Sequence, residues 1–114
     1  MPPRTNPLKL NALQLKTLTL LQEIARTPGF ATPLGETGEV VINHLPHAHG
    51  DHFHIGPSLV MAHDATGLHN QAVWMALDRK GLVRSSPEHG VLLTKAGVDY
   101  ATGLADTIIR RSSH

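Results

Sequence analysis

Apolar residues recur at helical spacing near the start of the chain, over residues 11 to 26. Leu18, Leu21 and Ala25 lie three and four residues apart, which places them on one face of a helix. Asn11 precedes the pattern and is a residue type that caps helix N-termini, whereas a Pro-Gly pair follows it. The sequence therefore predicts an amphipathic first helix in this segment.

The same periodicity returns between residues 70 and 80. Val73, Trp74 and Leu77 form an apolar stripe, and Asn70 precedes it as a candidate N-cap. A glycine follows the last turn, where glycine commonly ends a helix. We therefore predict a second helix over these residues.

Two short apolar runs, at residues 82 to 83 and 91 to 93, flank the turn-forming sequence SSPEHG. This pattern predicts a β-hairpin with a long loop. The residues expected to form the core are Leu21, Ile24, Trp74, Leu77, Leu82 and Leu93.

A third helical pattern follows the hairpin. Thr94 is a candidate cap for a last helix over residues 95 to 110. Gly97 and Gly103 lie inside that helix, and each is expected to weaken it by about 1 kcal/mol relative to alanine.

Two phrases in this part of the chain resemble the second half of a winged helix-turn-helix domain. They are LDRKGLV at residues 77 to 83 and LTKAG at residues 93 to 97. The N-terminal helix is similar to the first helix of MarR-type regulators. The resemblance implies a single α+β, winged-helix-like domain over residues 1 to 114, with three main helices and a C-terminal wing hairpin.

The segment between the matching parts departs from the family pattern, which places a short strand and a complete second helix there. It is rich in β-type residues and histidines instead, and it predicts an additional His-rich β-hairpin over about residues 38 to 62. Strand, loop and short helix all remain open for residues 57 to 66. Residues 1 to 10 are predicted to be a flexible N-terminus and residues 111 to 114 a tail.

Histidines are arranged symmetrically about Gly50-Asp51, which we predict to form a two-residue hairpin turn. The hairpin would place four histidines on one face, paired across the strands: His49 with His52, and His47 with His54. Imidazoles at this spacing suit one divalent transition metal, such as zinc, nickel or copper. The Asp51 carboxylate is expected to point away from them. The alternative is a solvated or hydrogen-bonded histidine cluster without an ion.

Residues 47 to 52, HAHGDH, also resemble the H-x-H-x-D-H motif of metallo-β-lactamase-type hydrolases. That family implies further ligands, carried by alternating strands and helices in a chain about twice as long. Such an alternation is not predicted here, and the symmetric hairpin accounts for the match. A metal-dependent hydrolase is therefore the third hypothesis, and the domain is predicted not to be an enzyme.

The composition further limits the classes of protein to which this chain could belong. The chain has 114 residues, enough for one modest core, and no cysteine, so disulfides and thiolate metal sites are excluded. No apolar run approaches the roughly 20 residues of a membrane span. The N-terminal sequence lacks the apolar stretch of a secretory signal, so a cytoplasmic location without a membrane partner is expected.

The resemblance implies DNA binding as the first functional hypothesis. Candidate DNA contacts are Asn70 and Gln71 to bases, and Arg79, Lys80 and Arg84 to phosphates. A metal ion or pH would modulate this binding through the His-rich hairpin. The alternative is a protein-interaction module that keeps the fold without DNA binding, which the formal net charge of +1 favours. DNA, a protein partner and a homodimer all remain open as partners.

Overall fold

The computed structural model describes residues 6–86 and 90–111. These residues form an α+β fold with four α-helices and two four-stranded antiparallel sheets. In chain order the elements are α1 (Ala12–Ala25), β1 (Ala31–Pro33), β2 (Val40–Ile42), β3 (Ala48–His49), β4 (His52–Ile55), β5 (Ser58–Met61), α2 (Gln71–Arg79), β6 (Val83–Ser86), β7 (Gly90–Leu93), α3 (Lys95–Asp99), α4 (Ala105–Ile108) and β8 (Ile109–Arg111).

The predicted first and second helices are confirmed, together with their caps. Asn11 Oδ1 accepts a hydrogen bond from Gln14 N–H at 2.8 Å, and Gln14 Oε1 accepts one from Asn11 N–H at 3.0 Å, which completes a capping box. Asn70 Oδ1 accepts from Ala72 N–H at 3.0 Å at the start of α2. Both helices therefore begin where a side chain satisfies backbone donors that lack an intrahelical partner.

The first sheet has the strand order β1-β2-β7-β6. The predicted hairpin after α2 is confirmed as β6 and β7. The assignment of residues 40 to 42 to the His-rich hairpin is wrong, because β2 pairs instead with β1 and β7. Val40 and Ile42 are buried on either side of a half-buried Val41, so this strand contributes side chains to the core.

The second sheet has the order β3-β4-β5-β8 and contains the His-rich hairpin. Ala48 pairs with Phe53 and His49 with His52, which is the predicted register. Gly50 has a φ of 65°, as the first position of a type II′ turn requires. Residues 57 to 66, for which the sequence allowed strand, loop or short helix, contain strand β5, one 3₁₀ turn and the start of a second. These turns lie at Ala62–Asp64 and Thr66–His69.

The prediction of one last helix over residues 95 to 110 is wrong. Thr94 does cap α3, but the chain becomes extended at Tyr100, where φ is −64° and ψ is 127°. It resumes as the short helix α4 and ends in β8, which pairs with β5. Gln22 Nε2 stabilises the break by donating to the carbonyls of Gly97 and Tyr100 at 2.8 and 2.7 Å. Gly103, at a φ of 73°, then lets the backbone turn.

Helix α1 lies at the centre of the fold, because every residue from 17 to 24 is buried. Five of the six predicted core residues are at most 1% exposed, namely Leu21, Ile24, Leu77, Leu82 and Leu93. Trp74, the sixth, is only partly buried and packs against the edge of the core. No buried side-chain nitrogen or oxygen lacks a hydrogen bond in the described ranges.

Residues 6 to 10 are docked on the domain, although they belong to the stretch predicted to be flexible. Asn6 Nδ2 donates to the Leu10 carbonyl at 2.9 Å, and the Leu10 side chain is 4% exposed. Lys80 Nζ donates to the Leu8 carbonyl at 2.8 Å. Residues 1 to 5 of that stretch, and residues 112 to 114 of the predicted tail, lie outside the described residues.

A buried carboxylate joins α1 to the second sheet and gives a first testable prediction. Ser58 Oγ donates to Glu23 Oε2 at 2.9 Å, and the two residues are 1% and 7% exposed. Ser58→Ala removes one donor from this carboxylate, so the free energy of unfolding should fall by about 1–3 kcal/mol in urea titrations. Lys95→Ala, which removes an exposed ion pair to Asp99 and the side-chain stem next to Gly38, should change it by less than about 0.5 kcal/mol. Equal effects of the two substitutions would contradict this prediction.

Candidate binding groove and histidine face

A groove of about 530 Å³ opens between the start of α2 and one face of the first sheet. Its volume lies within the roughly 300–1,000 Å³ that is common for ligand sites. The apolar lining residues are Ile42, Leu45, Leu68, Trp74 and Val91, and the polar ones are Asn43, His44, His69, Gln71 and Ser85. We call this feature the groove.

The strand register builds the floor of the groove. Ile42 pairs with Val91, and Val91 pairs with Ser85, so the three residues form one row across β2, β7 and β6. Trp74 forms part of the opposite wall, where its Nε1–H donates to the Leu68 carbonyl at 2.9 Å and fixes the indole. The His44 ring lies 4.6 Å from the Phe30 ring, centroid to centroid, on the loop after β2. The groove is therefore apolar at its base and polar at its rim.

The five residues predicted to contact DNA are distributed over three places. Asn70 and Gln71 lie at the start of α2, and Gln71 is exposed at the rim of the groove. Arg79 and Lys80 lie at the opposite end of the same helix, and Arg84 lies on β6. The two pairs of chain neighbours therefore lie at opposite ends of α2, and Arg84 lies on a different element.

Two of the three predicted phosphate contacts already have partners within the fold. Arg84 forms a two-point ion pair with Glu39, with Nη2–Oε1 and Nε–Oε2 distances of 3.0 and 3.2 Å. Lys80 donates to the backbone carbonyl of Leu8. Arg79 is exposed in the last turn of α2. Arg84 would have to leave Glu39 to bind a phosphate with its full charge.

The exposed face of α2 is not basic. Its exposed residues are Gln71, Ala72, Met75, Asp78 and Arg79, which include one acidic and one basic side chain. Met75 is 53% exposed, which is unusual among the large apolar side chains that the structure describes. This face runs from the C-terminal end of α2 to the groove.

A second feature lies on β4, where two imidazoles meet. His52 Nε2 and His54 Nε2 are 3.2 Å apart, and the ring planes are nearly perpendicular at 87°. The other nitrogen of His52, Nδ1, lies 3.3 Å from Asp51 Oδ1. The expectation that the Asp51 carboxylate points away from the imidazoles is therefore wrong.

The other two predicted metal ligands are placed by the backbone. His49 lies opposite His52 in the strand register, and its side chain is outside what the structure describes. His47 is exposed and precedes the first paired residue of β3. Among the described side chains, no three His, Cys, Asp or Glu residues converge in a metal-binding arrangement. We refer to the surface of β4 with His52 and His54 as the histidine face.

Comparison with known protein families, with characterised proteins and with solved structures finds no match to this chain. In the described ranges, none of the helices has the length and apolar character needed to cross a membrane.

Sequence reasoning missed most of the groove. Asn43, His44 and Ser85 line it, yet they carry no motif and lie in a loop and a strand that are far apart in the chain. The one sequence signal was Trp74, whose indole N–H needs a partner when buried and therefore suits the edge of a core better than its centre. The histidine face, in contrast, was found from the spacing of its residues.

Proposed function

We propose that this domain is a winged-helix-like protein-interaction module whose binding surface is the groove together with the exposed face of α2. The winged-helix arrangement is supported by the order of the elements. Helix α1, strand β2, helix α2 and the hairpin β6–β7 occur in that order, with β1 between α1 and β2, and β2 pairs with β7 of that hairpin. Strands and 3₁₀ turns replace the complete helix that the family resemblance implies before α2.

The composition of the α2 surface is the observation that favours a protein partner over DNA. An interface core is depleted in charge and enriched in aromatic residues and methionine. Met75 on α2 and Trp74 in the groove fit that description, and Asp78 and Arg79 leave the helix face without net charge. DNA-binding surfaces, by contrast, are strongly basic.

The groove defines the chemistry of the partner. Its base accepts an apolar side chain between Trp74 and Val91, and its rim offers the polar groups of Asn43, Gln71 and Ser85. Polar side chains in that position suit the backbone amides of a bound segment. The partner expected is therefore a polypeptide segment with an apolar anchor residue.

Peptide selection tests this proposal directly. We expect a displayed library of random peptides to yield ligands with an apolar anchor, and their binding to change the fluorescence of Trp74, the one tryptophan in the chain. Ser85→Tyr fills the groove from an exposed strand position and should weaken binding by about tenfold or more, or about 1.4 kcal/mol. Thr107→Tyr, at an exposed position on α4, is the matched control and should bind normally. Ligands that bind both variants equally well would overturn the proposal.

DNA binding is the second candidate, favoured by the exposed Gln71 at the start of α2 and the exposed Arg79 at its end. Fluorescence anisotropy with labelled random-sequence duplexes at low salt separates the two candidates. If DNA is the partner, affinity should fall steeply as salt increases, because each phosphate contact releases counterions. Arg79→Ala should then reduce the slope of that dependence by about one unit. For the interaction module we expect no anisotropy change.

A further inference from the structure

The groove lies beside one edge of the first sheet, where strand β6 ends the strand order. We propose that the polypeptide partner binds as an extended strand, which pairs antiparallel with β6 and places its apolar anchor residue opposite Ser85. This rests on the proposed interaction function, because the strand occupies the same groove. It adds the conformation of the bound segment and its register on the domain.

Strand β6 is an edge strand that reaches the groove. Among the described residues it has a strand neighbour on one side only, β7, and its residues Arg84 and Ser85 are exposed. Of the residues that line the groove, Ser85 is the one that belongs to an edge strand. An edge strand can pair with another chain through its outward backbone N–H and C=O groups. The groove and a pairing edge therefore meet at Ser85.

The hydrogen-bond pattern between β6 and β7 determines which backbone groups point out of this edge. Thr94 N–H donates to the Leu82 carbonyl at 3.1 Å, and these two residues continue the register of the β6–β7 pair. Hydrogen-bonded and non-hydrogen-bonded pairs alternate along an antiparallel ladder. Arg84, two residues after Leu82, therefore directs its N–H and C=O groups towards β7, whereas those of Ser85 point away from β7.

The pairing of the other strands leads to the same assignment. Asn43 N–H donates to the Phe30 carbonyl at 2.8 Å across β1 and β2, so the next residue along the strand, Ile42, directs its backbone groups towards β7. Ile42 pairs with Val91, whose backbone groups are therefore turned towards β2 and away from β6. Ser85, which lies opposite Val91, is then in a non-hydrogen-bonded pair and directs its N–H and C=O out of the sheet edge.

An added strand would extend the row of side chains that forms the floor of the groove. Ile42, Val91 and Ser85 form this row across β2, β7 and β6. Neighbouring strands lie about 4.7–4.9 Å apart, and residues that pair directly project from the same face of the sheet. The residue opposite Ser85 would therefore project from the groove face, and its N–H and C=O would bond those of Ser85. The residues before and after it would project from the other face.

Backbone N-methylation of a bound peptide tests this register. The probe is a peptide with an apolar anchor that is selected from the displayed library on the wild-type protein. N-Methylation of the anchor residue should weaken binding about tenfold, because it removes the N–H that donates to the Ser85 carbonyl. N-Methylation of the residue before or after the anchor should weaken binding by less than about threefold, because those N–H groups point away from β6.

The peptide series separates this inference from the function on which it rests. Failure to select any peptide would contradict the interaction function itself. Selected peptides that tolerate N-methylation of the anchor would leave that function intact and overturn the β6 pairing. Peptides whose important side chains recur three and four residues apart would also overturn it, because that spacing indicates a bound helix.

Ser85→Pro tests the protein side of the pairing, with Ser85→Val as the matched control. Proline lacks the N–H, and an edge strand tolerates it where that N–H points to solvent. We expect Ser85→Pro to bind the peptide about tenfold more weakly than Ser85→Val, which keeps the N–H. Equal affinities of the two variants would overturn the proposal. Circular dichroism verifies that each variant is folded.

Hydrogen exchange of the wild-type protein gives a readout that needs no variant. Exchange of Ser85 N–H should slow by about tenfold or more when the peptide is bound, because this N–H then has a partner. An unchanged rate would contradict the pairing. Sedimentation velocity without peptide tests whether a second copy of the chain pairs with β6 instead. A dimer that Ser85→Pro dissociates would identify that copy as the occupant of the edge and would overturn the proposal.

Discussion

Leu77→Ala is expected to lower the free energy of unfolding by about 2–5 kcal/mol, the range for a fully buried leucine. The Leu77 side chain has no exposed surface and belongs to the main core cluster. Its carbonyl also accepts from Leu82 N–H at 3.0 Å, where the chain leaves α2 for β6. The substitution removes side-chain atoms from the interior and leaves a cavity that the surrounding residues refill only in part.

Met75→Ala is the matched control for that experiment, because Met75 lies on the same helix and is 53% exposed. Its effect should stay within about 0.5 kcal/mol, as for most surface substitutions. Urea unfolding of both variants, with the slope of the transition checked for constancy, measures the difference. A near-neutral Leu77→Ala would mean that α2 packs on the domain through another face.

Helix starts were predictable because their signals are local. Asn11, Asn70 and Thr94 each accept a hydrogen bond from a backbone N–H two or three residues later in the chain. The cap and the apolar periodicity that follows it are enough to predict such a helix start. The ends of the last segment were not predictable in this way, because the break after α3 depends on Gln22, which lies 75 residues before Gly97.

The His-rich hairpin was predictable down to its register, since a glycine at the centre of a symmetric segment specifies the turn. Its neighbours in the sheet were not. β8 pairs with β5 although the last apolar residues, Ile108 and Ile109, also fit a helical pattern. Ile109 is β-branched and is 4% exposed where it pairs with Val60 of β5, and such residues suit the surface of a pleated sheet.

The candidate sites show the same division between local and long-range information. The contact of His52 with His54 follows from a spacing of two residues on one strand. The partner of Arg84, Glu39, lies 45 residues earlier, and the partner of Lys80, the Leu8 carbonyl, lies 72 residues earlier. Lys80 and Arg84 were predicted from the sequence to contact DNA, whereas in the folded chain both bind partners within the domain.

Gly97→Ala is the second variant expected to have a large effect, and its sign separates helix propensity from packing. Propensity alone favours alanine by about 1 kcal/mol inside a helix. In the structure, however, a Cβ atom at Gly97 would lie 2.2 Å from the carbonyl oxygen of Leu82 and 2.7 Å from Leu93 Cδ1. The oxygen belongs to the backbone, so the contact cannot be relieved by a change of side-chain rotamer.

We therefore expect Gly97→Ala to destabilise the protein by about 1–3 kcal/mol or more, as overpacked core substitutions do. Moving α3 away from Leu82 would also strain the hydrogen bonds that Thr94 Oγ1 makes with Gly97 N–H and that Gln22 makes with the Gly97 carbonyl. Ala96→Gly, at the exposed neighbouring position, measures the propensity term alone and should cost at most about 1 kcal/mol. Urea unfolding of both variants provides the comparison. A Gly97→Ala protein more stable than the wild type would show that α3 does not pack this closely against the start of β6. The expected loss would instead show that Gly97 is required for close packing and does not merely weaken the helix.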